Sequence, residues 1–253
     1  MIDLHSHVLS GIDDGPATLE GSIELARAAV AAGTDTLVAT PHVSPRYAND
    51  AATIAAATAE VAAALAAHGV ELELLAGAEI AITRIAETEP AELALLTLGR
   101  GPWLLVEPPF TPVATGVDAI IRDLLRRGHR VLLAHPERCP AFHRDPAMLE
   151  ALVREGVLTS ITAASLTGQF GGEARRFGLA LIEAELAHNV ASDAHDHVRR
   201  PPGMDDALAT LGSEALGEWL THDVPAALLA GEDVPPRPAA PARVRRLPWQ
   251  RRR

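Results

Sequence analysis

Lysine is absent from the chain: all 22 basic residues are arginine. A binuclear metal site bridged by a carboxylated lysine is therefore excluded. The single cysteine, Cys139, excludes an internal disulfide. No apolar run is long enough to span a bilayer and no signal peptide opens the chain, so a cytoplasmic protein with no membrane insertion is expected. Aromatic residues are scarce, 3% of the chain against 48% hydrophobic overall, which leaves Ala, Leu and Val to do most of the packing. Positive charge is in deficit as well. The net charge of −11 argues against nucleic acid or an anionic membrane as partner. It would also repel a phosphorylated ligand unless metals and arginines invert the sign locally.

What is present alternates between strand and helix patterns. A length of 253 residues accommodates one large barrel or two smaller domains. Short apolar runs at Ile2–His7, Thr36–Ala39, Glu71–Leu75, Trp103–Val106, Val131–Ala134, Val157–Ile161 and Asn189–Ser192 read as strands. Helical spacing falls between them, at Thr18–Ala32, Ala51–His68, Val117–Arg127, Pro146–Glu155 and Glu173–Ala187. Two more helices are expected, at about Asp205–Leu220 and Pro225–Ala230. Seven strands alternating with helices imply a parallel sheet, and right-handed crossovers would close it into a barrel. No break in composition divides residues 1–231, which read as one domain. Residues 232–253 are rich in Pro, Ala and Arg, with seven Arg against two acids, and are expected to be a disordered, solvated tail.

The polar residues fall where chemistry would need them. His5 and His7 lie two apart on one strand and so share a face, and Gly11 and Gly15 bracket Asp13 and Asp14 in a turn that can swing a carboxylate back over the strand end. A strand-end histidine is ordinarily a cap or a satisfied polar residue, and an HxH pair alone is a weak signal. Here, however, metal-ligand residue types follow six strands: His5/His7, His42, Glu79, Glu107, His135 and Asp193/His195. In a (β/α) barrel those strand ends share one face, where active sites lie. Five histidines and at least four carboxylates exceed what one cation uses, which favours two or three metals.

Taken in order, HxH followed by GIDDG, TPH, GAEI, VEPPF, AHPER and SDAH with RPP resemble the polymerase-and-histidinol-phosphatase (PHP) superfamily. More narrowly, they resemble the bacterial manganese-dependent protein-tyrosine phosphatases associated with capsular and extracellular polysaccharide synthesis. The resemblance runs from Met1 to about Ala230 and implies an α/β fold, a distorted (β/α)7 TIM-like barrel with the metals at the C-terminal ends of its strands. It implies His5, His7, Asp14, His42, Glu79, Glu107, His135, Asp193 and His195 as ligands, with Asp14 rather than Asp13 binding metal. It also implies Arg138 and Arg200 as phosphate contacts. The expected cofactors are two or three divalent ions, Mn²⁺ foremost, with Fe or Zn as alternatives. The expected partner is a phosphotyrosine protein, a bacterial tyrosine kinase in particular.

The implied reaction is attack of a metal-bridging hydroxide on phosphorus in line with the departing phenolate, with His195 or a bound water as acid. Several positions depart from the family pattern: Val43 follows TPH, Cys139 follows HPER, and Ile161-Thr162-Ala163-Ala164 precedes SLTGQFG. These touch the rim and leave the substrate open. Histidinol phosphate, a nucleotide, a single-metal amidohydrolase reaction or an inactive metal-stabilised scaffold stand as alternatives. His68, His129, His188 and His222 read as caps near helix ends, and His143 and His197 stand closer to the motifs. A thiol phosphatase needs five residues between its Cys and its Arg. Arg144 follows Cys139 with four residues between, and the required position is Asp145, so that mechanism fails on spacing.

Overall fold

The computed structural model describes residues 1–111 and 116–239. Nine strand segments run in one direction: β1 (Ile2–Ser6), β2 (Thr36–Ala39), β3 (His42–Val43), β4 (Glu73–Ala76), β5 (Glu79–Ala81), β6 (Trp103–Glu107), β7 (Arg130–Ala134), β8 (Leu158–Thr162) and β9 (Asn189–Ala191). Among the described residues these strands pair with one another only in parallel. β2 and β3 are two halves of one path, interrupted at Thr40-Pro41 because proline cannot donate to a ladder. β4 and β5 are likewise halves, broken at Gly77-Ala78. Their register is the same on both sides of the break, with Leu37 opposite Leu74 and His42 opposite Glu79. A Cβ on Gly77 would lie 3.0 Å from both Leu98 and Val38, so the break lets the 3₁₀ turn Leu98–Arg100 come close beside β4.

The ring closes between its first and last strands. Ser6 bridges to Ala194, the His7 amide donates to the Ala194 carbonyl at 2.8 Å, and the Asp193 amide donates to the His5 carbonyl at 2.9 Å. Beneath this seam the fully buried Asp3 accepts from the amides of His5 (3.2 Å) and Ser192 (3.1 Å). The expected seven strand paths therefore go round in chain order. Leu4, Leu37, Val38, Leu104, Val106, Val131, Leu133 and Val190 fill the buried strand positions. The helices lie outside. Leu19–Ala31 starts where Thr18 Oγ1 accepts from the Gly21 amide, and Ala51–Ala67 starts where Asp50 accepts from the Thr53 amide. Ile54, Thr58, Val61 and Leu65 recur at helical spacing as the buried stripe of the second.

Two expectations need correction. The single helix over 205–220 is instead Asp205–Ala209 and Glu214–Glu218, since Gly212 takes φ +64° and Ser213 caps a new start. The second piece then runs through a π turn, Trp219–Asp223, into Val224–Ala230. The tail is not free from residue 232. Trp219 Nε1 donates to the Pro235 carbonyl at 3.0 Å, and Arg237 donates to the carbonyls of Ala187 (2.8 Å) and Ile182 (2.9 Å) at the end of the helix Gly171–Glu183. Positive guanidinium there meets the carbonyl end of a helix dipole. The rest of the expected disordered tail, 240–253, lies outside the described residues.

Candidate metal centre

The strand ends bring imidazoles and carboxylates to one point. His5 and His7 leave β1 on the same side, with Nε2 atoms 3.3 Å apart. Glu79, the first residue of β5, stands under them: its Oε2 lies 3.3 Å from His5 Nε2, 3.4 Å from His7 Nε2 and 3.0 Å from His42 Nδ1. Its Oε1 lies 2.8 Å from His135 Nε2, and Glu107 at the end of β6 lies 4.0 Å from that nitrogen. Asp193, after β9, presents Oδ1 3.5 Å from both His5 and His7. Asp14 reaches over from its turn, 3.4 Å from His42 and 3.4 Å from His195.

Among the described residues these donors form four overlapping groups with metal-binding geometry: His7, Asp14, His42 and His195; His5, His7 and Asp193; His5, Glu79 and His135; His42, Glu79 and Glu107. Every one of the nine residues expected as ligands belongs to at least one of them. His135 Nδ1 is buried and makes no hydrogen bond, and Glu79 Oε2 and His42 Nδ1, buried 3.0 Å apart, make no well-directed one. Orphaned donor atoms of this kind are costly unless a cation satisfies them. The donor chemistry, imidazole with carboxylate oxygen, suits first-row divalent ions.

The electrostatics match. Burial opposes charge on Glu79 and Asp193, yet the surrounding histidines, with Arg200 beside Asp193, hold both carboxyls well below the usual range. Burial, reinforced by the negative Glu79, pushes Glu107 up to about 8. Burial and the nearby Arg138 bring His135 down to about 4, which keeps it neutral and able to ligate. Burial also opposes charge on His7, but Asp13, Asp193 and Glu79 outweigh it and raise that imidazole. An acid-rich cluster of this sort favours added positive charge.

The two arginines arrive from different loops. Arg138 Nη1 and Arg200 Nη2 each lie 2.6 Å from Asp193 Oδ2, so both guanidinium groups stand at the mouth of the cluster. Phe170 lies against both, its ring centre 4.1 Å from the Arg138 guanidinium carbon and 5.6 Å from that of Arg200. Cys139 is buried and donates from Sγ to the Pro109 carbonyl at 3.3 Å. Burial pushes its thiol up, the opposite of what a nucleophile needs.

Two features escape sequence reasoning. His135 (φ 32°) and Asp193 (φ 54°) are held in left-handed backbone conformations that non-glycine residues rarely adopt. Asp13, passed over in favour of Asp14, is a buried hub: its Oδ2 lies 2.7 Å from His7 Nδ1 and accepts from the His42 amide at 3.1 Å, while its Oδ1 accepts from Gly15 at 2.9 Å. The one signal was Gly15, where a Cβ would sit 2.1 Å from the His7 carbonyl oxygen, so the turn can fold over β1 only without a side chain. Of the other histidines, His143 is turned away, donating to the Glu137 carbonyl at 2.6 Å and lying 3.4 Å from Glu173. His197 is exposed. His188, expected as a cap, is largely buried, with its Nδ1 accepting from the Thr159 amide across to β8.

Comparison with known proteins agrees with this geometry. The tyrosine-protein phosphatase YwqE of Bacillus subtilis is 36% identical over 250 residues, 98% of either chain. The tyrosine-protein phosphatase CpsB of Streptococcus pneumoniae is 28% identical over 213 residues, 82% of this chain and 88% of the other. A solved structure from work on YwqE and CpsB, described as unique metal-dependent tyrosine phosphatases, superposes with a TM-score of 0.82 at 35% identity, over 94% of this chain and 99% of that one. The family model for capsular polysaccharide synthesis, CpsB/CapC, matches residues 1–225, and this chain belongs to that family.

Proposed function

We propose that the chain is a metal-dependent protein-tyrosine phosphatase that acts in capsular or extracellular polysaccharide synthesis. The observation that carries the reading is the meeting of Arg138 and Arg200 on Asp193, beside the four overlapping donor groups. His5, His7, Asp14, His42, Glu79, Glu107, His135, Asp193 and His195 would hold two or three divalent ions. Shared members such as His7 and Glu79 keep neighbouring sites adjacent. The mixture of imidazole and hard oxygen donors supports Mn²⁺, with Fe or Zn as the other outcomes of a metal assay. Bound cations would supply an activated water and positive charge facing the phosphoryl oxygens.

The chain's own residues do the rest. Arg138 and Arg200 bind the phosphoryl oxygens and stabilise charge as it builds in the transition state. Phe170 and Asp193 hold both guanidinium groups in place before substrate arrives. His195 Nδ1 lies 2.9 Å from the Asp193 carbonyl, so Nε2, which faces Asp14 at 3.4 Å, is the ring nitrogen left for the site, and one nitrogen cannot ligate and donate a proton at once. We assign it to the metal, because a departing phenolate is weakly basic and takes its proton from water. Among the described residues no helix is long and apolar enough to cross a membrane. Tyrosine phosphorylation draws on intracellular ATP, so the proposal includes a cytoplasmic location and a bacterial tyrosine kinase as the phosphorylated partner.

The test is a substrate screen on the full chain purified with Mn²⁺, with metal content measured by elemental analysis on the same preparation. More than one metal per chain, chelator sensitivity and release of phosphate from phosphotyrosine peptides are expected. Hydrolysis confined to histidinol phosphate or a nucleotide would move the substrate, and an active preparation with one metal or none would overturn the site.

A further inference from the structure

The chain spends its aromatic residues sparingly: four Phe, three Trp and one Tyr. Two of the four Phe, Phe110 and Phe170, line one cavity of about 500 Å³ that opens beside the metal cluster, and Arg138 is part of the same lining. Phe110 is 48% exposed and, with Phe170, gives the cavity an apolar wall open to a ligand. Its loop is held on one side by the buried thiol of Cys139, which donates to Pro109. Its ring stacks on His135 with centroids 5.4 Å apart and planes 22° apart, which puts it directly at the edge of the donor groups. Its centre is 5.1 Å from the Arg138 guanidinium carbon, and Phe170 flanks the same guanidinium from 4.1 Å. The outer end of the cavity is polar, with His143, Arg144 and Glu173.

We propose that this cavity is an aryl subsite: the phenyl ring of the phosphotyrosine ester lies against Phe110 and Phe170 while its phosphate meets Arg138, and the peptide leaves past the polar outer end. The inference rests on the phosphatase reading above and adds what that reading lacks, a reason in the chain for choosing a phenolic ester over an alkyl one. A phosphoserine ester brings no ring to set against them while its phosphate sits at Arg138. The aromatic contact of a phenyl ester adds binding that a serine ester cannot make. Leaving-group chemistry alone also favours aryl esters, so the native preference does not test the subsite. A change in that preference does.

The experiment measures kcat and KM for phosphotyrosine and phosphoserine peptides of one sequence on the Mn²⁺-loaded full chain and on Phe110→Ala, Phe110→Leu and Phe110→Tyr. A second readout is the Kd of a peptide carrying phosphonomethyl-phenylalanine, which cannot be hydrolysed. In Phe110→Ala the tyrosine-to-serine ratio of kcat/KM is expected to fall about 3- to 30-fold, mostly through KM, with a matching rise in that Kd. Leu should recover a part and Tyr most of the loss. An unchanged ratio and Kd, or a loss shared equally by both peptides together with lost metal, would overturn the subsite while leaving the phosphatase reading intact. A native chain inactive on every phosphotyrosine peptide would remove both.

Discussion

Asp13 and Asp14 are chemically identical neighbours with different positions. Asp14 points its carboxylate at His42 and His195, whereas Asp13 is turned inward onto His7 Nδ1 and two backbone amides. A carboxylate behind an imidazole sets its tautomer and orientation and raises its basicity toward metal. Asp13→Ala should therefore lower metal affinity about 10- to 100-fold, read by competition with a chelating dye. Full occupancy at native affinity would show that the hub is structural only. Arg200 calls for a different outcome. Guanidinium cannot ligate, and Arg138 still pairs with Asp193 when Arg200 is removed. Arg200→Ala should keep its metal while losing about 2–4 kcal/mol of transition-state stabilisation, roughly 30- to 1000-fold in kcat/KM. Lys there should restore only a part, because a point charge makes no bidentate contact. Wild-type kinetics in the alanine variant would withdraw the phosphate role.

At the level of elements, what positions the site is a seam and a strap. The seam between β1 and Asp193-Ala194 carries two ligand-bearing segments side by side, so closing the barrel and assembling the cluster are one event. The strap is residues 232–239, which bind Trp219, Ala187 and Ile182. Ending the chain after residue 231 should cost about 1–3 kcal/mol relative to ending it after residue 239, a difference in Tm of roughly 3–10 °C. Equal Tm values for the two truncations would show that the strap contacts contribute no stability. Among the short elements, the π turn at Trp219–Asp223 and the restart at Ser213 carry no periodic signal. Each spans five residues, fewer than the two turns over which a hydrophobic repeat can be recognised.

For the whole molecule, the buried carboxylates of Asp13, Glu79 and Asp193 are gathered where cations would relieve them. Saturating Mn²⁺, at about a hundred times Kd, should stabilise the native chain by about 2.7 kcal/mol per site, visible as a rise in Tm. The ligands must shed their protons, so this rise should shrink as pH falls from about 8, the raised value of Glu107, and further as the raised imidazole of His7 takes up its proton. Without metal the sign is set by the carboxyls. Glu79 and Asp193 have folded values below their ordinary 4.5 and 3.8, so each contributes stability present above that range and lost as pH falls. The raised carboxyl of Asp3, where burial outweighs the Ser192 and His5 contacts, acts oppositely and gains as pH falls. Glu107 and Glu137 are raised as well, but raised carboxyls are already protonated below about pH 4, where only the lowered ones still respond, so the metal-free protein should lose stability there. Thermal melts across pH, with and without Mn²⁺, check both signs, and a metal shift independent of pH would count against histidine ligation.

Strand identity, order and the residues at strand ends were legible in the residues themselves, because short continuous apolar runs such as Leu104–Val106 and Val131–Ala134 encode burial locally. The resemblance extended that to a ligand set, and the tertiary structure gathered all nine of those residues. What only the tertiary structure decided were relations between segments far apart in the chain. Asp13 against His7, the left-handed backbones of His135 and Asp193, the strap on Trp219 and Phe110 stacked on His135 all depend on partners that no local pattern specifies. Periodicity reports which face of an element is buried. It does not report which neighbour meets that face, and directed hydrogen bonds, ring contacts and backbone strain exist only once that neighbour is in place.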